Sequence, residues 1–449
     1  MEYQTATVDL AKLEKVRPLG KMEEFSSARY HLDLFKNVGI TNTFTFTQTS
    51  SLFSLKDLVF YALTNVLQKN VNLSTIVVDR ASDAPYFARL PVVNLEKVVK
   101  FLERKILLNE DAAVGEELDD LLEIENNTSF KSQYGLLPLW RLVILSHLSV
   151  SSVFTASFFF HHALGDGTSA LVFLSDFQEG LNSLYAGVKA SSVLFKPEKN
   201  SILPSLEALL PHPYIPSHSH HPENLIWTGE CNRAPTSTCG KFHTLVINKE
   251  TSLRIFQACK VHKTTITALL TVLVANSLFQ ILPERYTQLD CTIPVNIRNL
   301  LSLDKTSFGV YIDALNLHLT RREQENFNWA QVIQVKTKIS EYFTKAKKGK
   351  INVAGFENIP SMIGFFQKRF EGERNESFDV SHLGAVKSGG DESWTLGRTV
   401  FSRSVFVSGA AVSVGVVTGG DGCMRGVVEE MIGNLGAVVE KVVRSELVL

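Results

Sequence analysis

Val153-Phe154-Thr155-Ala156-Ser157-Phe158-Phe159-Phe160 runs directly into His161-His162-Ala163-Leu164-Gly165-Asp166-Gly167. An apolar run of this length that ends in a glycine-bearing turn reads as a buried strand, and the residues from Gly167 to Leu184 read as a helix. Strand, tight turn and helix in direct succession put the chain in the mixed α/β class. A histidine at a strand end is held rigidly, and the small residues behind it leave its ring approachable, as a general base requires. The same residues admit a plainer reading, in which Gly-Asp-Gly is strand-to-helix punctuation and Asp166 or Thr168 caps the helix. A metal would need His161 and His162 to converge; neighbours on a strand point to opposite faces, so no metal is expected.

Upstream, Leu142 to Leu145 is a second apolar run, separated from Val153 to Phe160 by a short polar turn. The two predict an antiparallel hairpin that delivers the motif. Ser54 and Asp57 predict a helix start before Leu55, Leu58, Val59, Ala62, Leu63, Val66 and Leu67, and Thr75 to Val78 predicts a strand. Seven of the 14 prolines, from Pro197 to Pro235, crowd one stretch, which also holds His212, His218, His220 and His221. This reads as an exposed linker, 191–240, between an N-terminal domain, 1–190, and a C-terminal one, 241–449.

In the second part, Phe242 to Ile247 predicts a strand and Leu253 to Cys259 a short helix. Thr264 to Leu282 carries no charge and is about long enough to span a bilayer, but its threonines, Asn276, Ser277 and Gln280 favour a buried helix. Ser404 to Val407 and Ala411 to Val417 predict a hairpin around Ser408-Gly409. From Val427 to Val443, an apolar stripe predicts a C-terminal amphipathic helix.

With 449 residues, of which 45% are hydrophobic, the chain is long enough for two cores and a cleft between them. Lys and Arg number 45 against 46 Asp and Glu, so no global field favours nucleic acid or an anionic surface, and no nucleic-acid partner is expected. The five cysteines are scattered without CxxC spacing, which suits a reducing compartment. The first residues lack a secretory profile. A cytoplasmic monomer is therefore expected, with peripheral contact to endoplasmic reticulum or lipid droplets left open.

At HHxxxDG the chain resembles the acyl-CoA-dependent acyltransferases with a HxxxD active site, and within them the fungal alcohol acetyltransferases. The resemblance extends to Arg17-Pro18-Leu19-Gly20 with Glu23 and Arg29, Leu137-Pro138-Leu139-Trp140-Arg141-Leu142, Thr264-Thr265-Ile266-Thr267-Ala268-Leu269-Leu270 and Ile293-Pro294-Val295-Asn296-Ile297-Arg298. It departs at Val380-Ser381-His382-Leu383-Gly384, where His382 stands in place of the expected asparagine.

The resemblance implies two chloramphenicol acetyltransferase-like domains, each a mixed sheet covered by helices, with a channel between them. It implies His162 as the catalytic base, with His161 pointing away, and Asp166 as a structural member of the motif held by an arginine. Arg298 is the candidate partner. Gly167 resembles the family's small residue at the substrate channel, and acetyl-CoA is the implied cosubstrate. Lys260 and Lys263, just before the long apolar helix, are candidates for the coenzyme's phosphates, with Lys345, Lys347, Lys348 and Lys350 as a rival cluster. Ser381 and Asn296 are candidate oxyanion donors.

Together these predict an acetyl-CoA-dependent O-acetyltransferase that forms acetate esters from apolar alcohols by direct transfer. Two rivals stand beside it: N-acetylation of a long-chain amine or sphingoid-like base, and a noncatalytic lipid- or CoA-binding protein of the same fold.

Overall fold

The computed structural model describes residues 9–47, 54–105, 116–147, 150–183, 192–210, 225–229, 241–324, 327–370, 374, 376–386, 393–404 and 406–430. The first part of the chain forms β1 (Glu14–Pro18), α1 (Lys21–His31), β2 (Val38–Phe46), α2 (Leu55–Lys69), β3 (Thr75–Val78), β4 (Tyr86–Arg89) and β5 (Val93–Asn94). It continues through α3 (Leu95–Val98), β6 (Val99–Glu103), α4 (Glu116–Asn127), β7 (Trp140–His147), β8 (Val150–Phe160), α5 (Gly167–Ser183) and β9 (Leu194–Phe195). The second part forms β10 (Lys241–Ile247), α6 (Lys249–Val261), α7 (Ile266–Ile281), β11 (Gln288–Asn296), β12 (Ile312–Thr320) and α8 (Trp329–Ala346). It ends with α9 (Met362–Phe370), β13 (Phe378–Ala385), β14 (Trp394–Arg403), β15 (Val412–Thr418) and β16 (Met424–Glu430).

Two mixed sheets organise the molecule. One has the order β14-β2-β8-β7-β6 and the other β10-β16-β15-β13-β11-β12. The expected hairpin is β7 with β8, antiparallel from Trp140 opposite Phe160 to Leu145 opposite Thr155. The strand β8 reads as a continuous apolar run because both of its faces are covered. Phe154, Phe158 and Phe160 join the core under α2 and α5, whereas Phe159 packs with Val143, Val400, Phe242, Val427 and α4. That second cluster draws side chains from both sheets and forms part of the seam between them.

Ser54 caps α2 as its sequence predicts, accepting from the Asp57 amide. The uncharged helix α7 is buried over most of its length in the second core, among Ile255, Val332, Val335 and Val380. Among the described residues no single helix is long and apolar enough to cross a membrane; α6 and α7 could do so only as a pair bent by 103°.

Two expectations are corrected, and one helix is found that the sequence did not signal. The hairpin around Ser408-Gly409 does not form. Ser404, Phe406 and Val407 lie outside the strands, and β14, which precedes them, pairs antiparallel with β2 of the first sheet while β15 pairs with β13 and β16 of the second. The chain therefore returns from its second part to complete its first sheet. Val427 and Val428 belong to β16, not to a helix, since adjacent valines buried on opposite faces satisfy a two-sided strand as well as a helical stripe; the rest of the expected C-terminal helix lies outside the described residues. Finally, α1 precedes α2 without being signalled by apolar spacing, because its buried residues include Glu23, Ser26, Ser27 and Arg29. The proline-rich stretch is described only at 192–210 and 225–229, so its four histidines lie outside the described residues.

Candidate active site

The motif turn begins where β8 ends. The His161 amide donates to the Leu139 carbonyl (2.8 Å), and the Leu164 amide donates back to the His161 carbonyl (2.9 Å). Asn72 holds the turn from outside, its Nδ2 donating to the Leu164 carbonyl at 2.6 Å. His161 is buried against the edge of Tyr30, 4.3 Å between centroids, and its Nδ1 accepts from the Ala163 amide at 3.0 Å. The proton of its neutral ring is therefore on Nε2. Burial, with the His162 and Arg29 charges adding to it, pushes its pKa down to about 3.

His162 is half-buried, with its ring 5.8 Å from that of Phe35. Its Nδ1 is buried and, among the described residues, receives no hydrogen bond from another residue. Burial first, then the Arg29 cation, hold its pKa below the ordinary histidine value, opposed by its own main-chain carbonyl and by Asp166. The ring is consequently neutral at pH 7, the form that can accept a proton.

Asp166 carries both roles read from its sequence context. As helix punctuation, its Oδ1 accepts from the Ser169 amide at 3.0 Å, at the start of α5. As half of an ion pair, it accepts Arg298 Nη1 and Nη2 at 2.9 Å each, and Oδ2 also accepts from the Tyr311 amide at 3.0 Å. Both side chains are fully buried. Burial raises the carboxyl's pKa, but Arg298 and the two amides outweigh it and leave it below the usual carboxylate value. Arg298 also donates to the Ser307 and Gly309 carbonyls, 2.9 and 3.0 Å, so a residue of the β11–β12 connection clamps the motif turn of the first sheet.

Asn296 lies exposed at the same seam, with Nδ2 donating to Thr168 Oγ1 (3.0 Å) and Oδ1 accepting from the Arg298 amide. Gly167 opens α5 beneath Leu383 of β13; a Cβ there would lie 2.5 Å from Leu383 Cδ2. Strand alternation puts Ser381, which is buried, on the same face of β13 as Asp379, which meets Arg403 of the first sheet. His382 takes the opposite face, toward α7, where Nδ1 meets Thr267 Oγ1 at 3.2 Å; its Nε2 is buried without a partner. His162, Asp166, Gly167, Arg298, Asn296 and Ser381 are thus gathered along one seam. Lys260 and Lys263 instead sit exposed at the bend between α6 and α7, and Lys345, Lys347, Lys348 and Lys350 are exposed at the end of α8.

The sequence did not single out the surroundings of Arg29. This residue of α1 is 7% exposed and has the rings of Phe35, Phe25 and Phe406 at 4.1, 5.0 and 5.2 Å from its guanidinium carbon. Its Nε is buried without an acceptor, and among the described residues the guanidinium makes no hydrogen bond or ion pair. Burial, and then the Arg403 charge, push its pKa down to about 9, so it remains a cation at pH 7. Ring faces attract the charge, worth about 0.5–2 kcal/mol each, but leave the buried Nε–H unmet, at about 1–3 kcal/mol. Arg403, the other nearby guanidinium, pairs with Asp379, to which Ser413 Oγ also donates at 2.6 Å. Asp166 is neutralised by Arg298 and Asp379 by Arg403, which leaves Arg29 beside His162 as a cation without a counter-charge among the described residues.

Three comparisons bear on this arrangement. The probable alcohol acetyltransferase crmB of Aspergillus fumigatus is 34% identical over 443 residues, covering 92% of this chain and 95% of that protein. In structure, the chain resembles the trichothecene 15-O-acetyltransferase TRI3 of Fusarium sporotrichioides, with a TM-score of 0.70 at 13% identity over 99% of this chain and 98% of the other. It also resembles TRI101 of the same organism, solved with coenzyme A and T-2, with a TM-score of 0.60 at 12% identity over 96% and 97% of the two chains. The two-sheet architecture is that of the two-domain chloramphenicol acetyltransferase-like fold. The sequence pattern of the alcohol acetyltransferases matches residues 18–228 and 230–433, from the arginine block before α1 to just past β16. With that match running through both sheets and across the motif between them, the chain belongs to the alcohol acetyltransferase family, a family of acyltransferase enzymes.

Proposed function

We propose that the protein is an acetyl-CoA-dependent O-acetyltransferase that forms acetate esters from alcohols with apolar bodies. The observation that carries this reading is a neutral His162 on a turn that the buried Asp166–Arg298 pair holds fixed. His162 removes the proton from the acceptor hydroxyl as its oxygen attacks the thioester carbonyl. The tetrahedral intermediate then collapses, breaking the C–S bond, and the protonated ring returns its proton to the departing thiolate. No acyl-enzyme is formed.

Ser381, on the Asp379 face of β13, is the better-supported oxyanion donor, since Asn296 already commits its amide to Thr168. Gly167 lets Leu383 of β13 approach the start of α5, and a side chain there would displace Leu383 toward the substrates. Coenzyme A as the acyl carrier is supported by the complex of TRI101 with that molecule. Lys260 and Lys263, near the N-terminus of α7, remain our candidates for its phosphates.

The Arg29 cation opposes the amine alternative, because an acceptor amine arrives protonated at pH 7. The deciding experiment follows thiol release from acetyl-CoA across panels of alcohols and amines, with product mass determined. Ester formation is expected with alcohols. Preference for amines at every pH would overturn the alcohol reading, and no turnover on any acceptor would overturn the enzymatic one.

A further inference from the structure

We propose that Arg29 orients the acceptor by binding an anionic oxygen that the acceptor carries on its apolar or aromatic body, a carboxylate in the simplest case. This deepens the acetyltransferase reading and rests on it: the acceptor narrows from any apolar alcohol to a hydroxy acid.

The position of Arg29 supports this role. Its guanidinium and the ring of His162 share Phe35, 4.1 and 5.8 Å from that ring's centroid, so cation and base stand beside the same wall. The rest of the wall is aromatic. Phe25 stacks on Phe356 at 5.1 Å and meets Phe366 at 4.9 Å, which brings α1, α9 and the segment before α9 together around the cation. A buried guanidinium whose Nε–H is unmet, with no carboxylate partner among the described residues, is costly to the empty protein and favourable to a ligand that supplies the missing acceptor. Arg403 cannot supply it, and Asp379 is already held by Arg403 and Ser413. Of the carboxylates on α1, Glu23 is engaged with Arg17 at 2.7 Å and Glu24 with Lys21 at 2.8 Å.

Two other negative groups enter such a site. The coenzyme's phosphates are kept remote from the thioester by the pantetheine arm. The oxyanion of the tetrahedral intermediate does form beside the base, but it forms with every acceptor alike, which separates it from recognition of an acid.

The test compares kcat/KM for phenyllactate and for its methyl ester with acetyl-CoA, in the wild type, Arg29→Lys and Arg29→Met. The wild type is expected to favour the acid by tenfold or more, the factor typical of a charge-assisted contact in a buried site. Arg29→Met should bring the ratio to about one, mainly through KM, and Arg29→Lys should keep part of it. A wild type that favours the ester overturns the proposal. So does an Arg29→Met variant that slows both acceptors in the same proportion, the behaviour of an oxyanion partner or of a packing residue. If Arg29→Met does not fold, wild-type Tm decides: a larger rise with phenyllactate than with the ester supports the proposal, and an equal or smaller rise overturns it. Absence of turnover on every acceptor, together with that selective rise, would sink the acetyltransferase reading while the anion site stood.

Discussion

Asp166 receives Arg298 through two hydrogen bonds in a site without solvent, and this sets what each substitution at the motif should do. Removing one member of a buried pair leaves the other charge uncompensated and typically costs about 3–5 kcal/mol. Arg298→Met and Asp166→Asn should each lower stability by that order, and the double variant should lose less than their sum. Urea unfolding of the four proteins measures the coupling, and strict additivity would mean that the pair is not energetically joined. His162 is different, because it bears on chemistry. His162→Ala should lower kcat by about 10²–10⁴ with little loss of stability, whereas His161→Ala, which empties a buried position against Tyr30, should act chiefly on stability. Because burial and Arg29 hold His162 neutral, the acidic limb of the kcat/KM profile should fall below the usual histidine pKa of about 6.5, and Arg29→Met should move it upward. A limb at or above that value in the wild type would contradict the environment described for the ring.

Elements of this fold succeed or fail by how closely they approach. At Gly180 in α5 an added Cβ would lie 2.7 Å from the Ala62 Cα of α2, main chain that cannot turn aside. Gly180→Ala should therefore cost about 1–3 kcal/mol, read as a fall in Tm. At Gly167 the obstacle is the end of the Leu383 side chain, which can rotate away, so Gly167→Ala should fold and instead change KM for the acceptor. The elements were legible where their signals were local. The stripe of α2 and the paired runs of β7 and β8 announce themselves within a few residues. By contrast, α1 buries polar residues, and β14 takes its partner from 350 residues away, Thr395 beside Thr45, so nothing near β14 reveals its pairing. The site divides in the same way: His162 and Asp166 stand in a motif, and Arg298 stands in a recognisable block. The significance of Arg29 lies in what does not touch it, which only a folded chain exhibits.

Across the whole molecule, His161, His162 and His382 share one electrostatic condition. Burial keeps each neutral, with His161 near 3 and His382 near 4, whereas in the unfolded chain each takes up a proton near pH 6.5. Below that pH the unfolded state binds more protons, so stability is full above it and falls as the medium is acidified, by up to about 1.4 kcal/mol per pH unit for each histidine. Urea midpoints at about pH 7, 6 and 5 should decline steadily, and His382→Asn should flatten the decline by one histidine's share. An unchanged midpoint over that range would show that these rings are protonated in the folded protein. The return of β14 to the first sheet carries a consequence in time. A ribosome adding about 5–20 residues per second needs roughly 20–70 s to travel from β2 to the strand that covers it. For that interval the nascent sheet displays an open, hydrogen-bonding edge of Thr41, Asn42 and Phe44 to the crowded cell. The newborn protein is thus a client in need of shelter until β14 has been made, and a chain that stops before Trp394 should remain one.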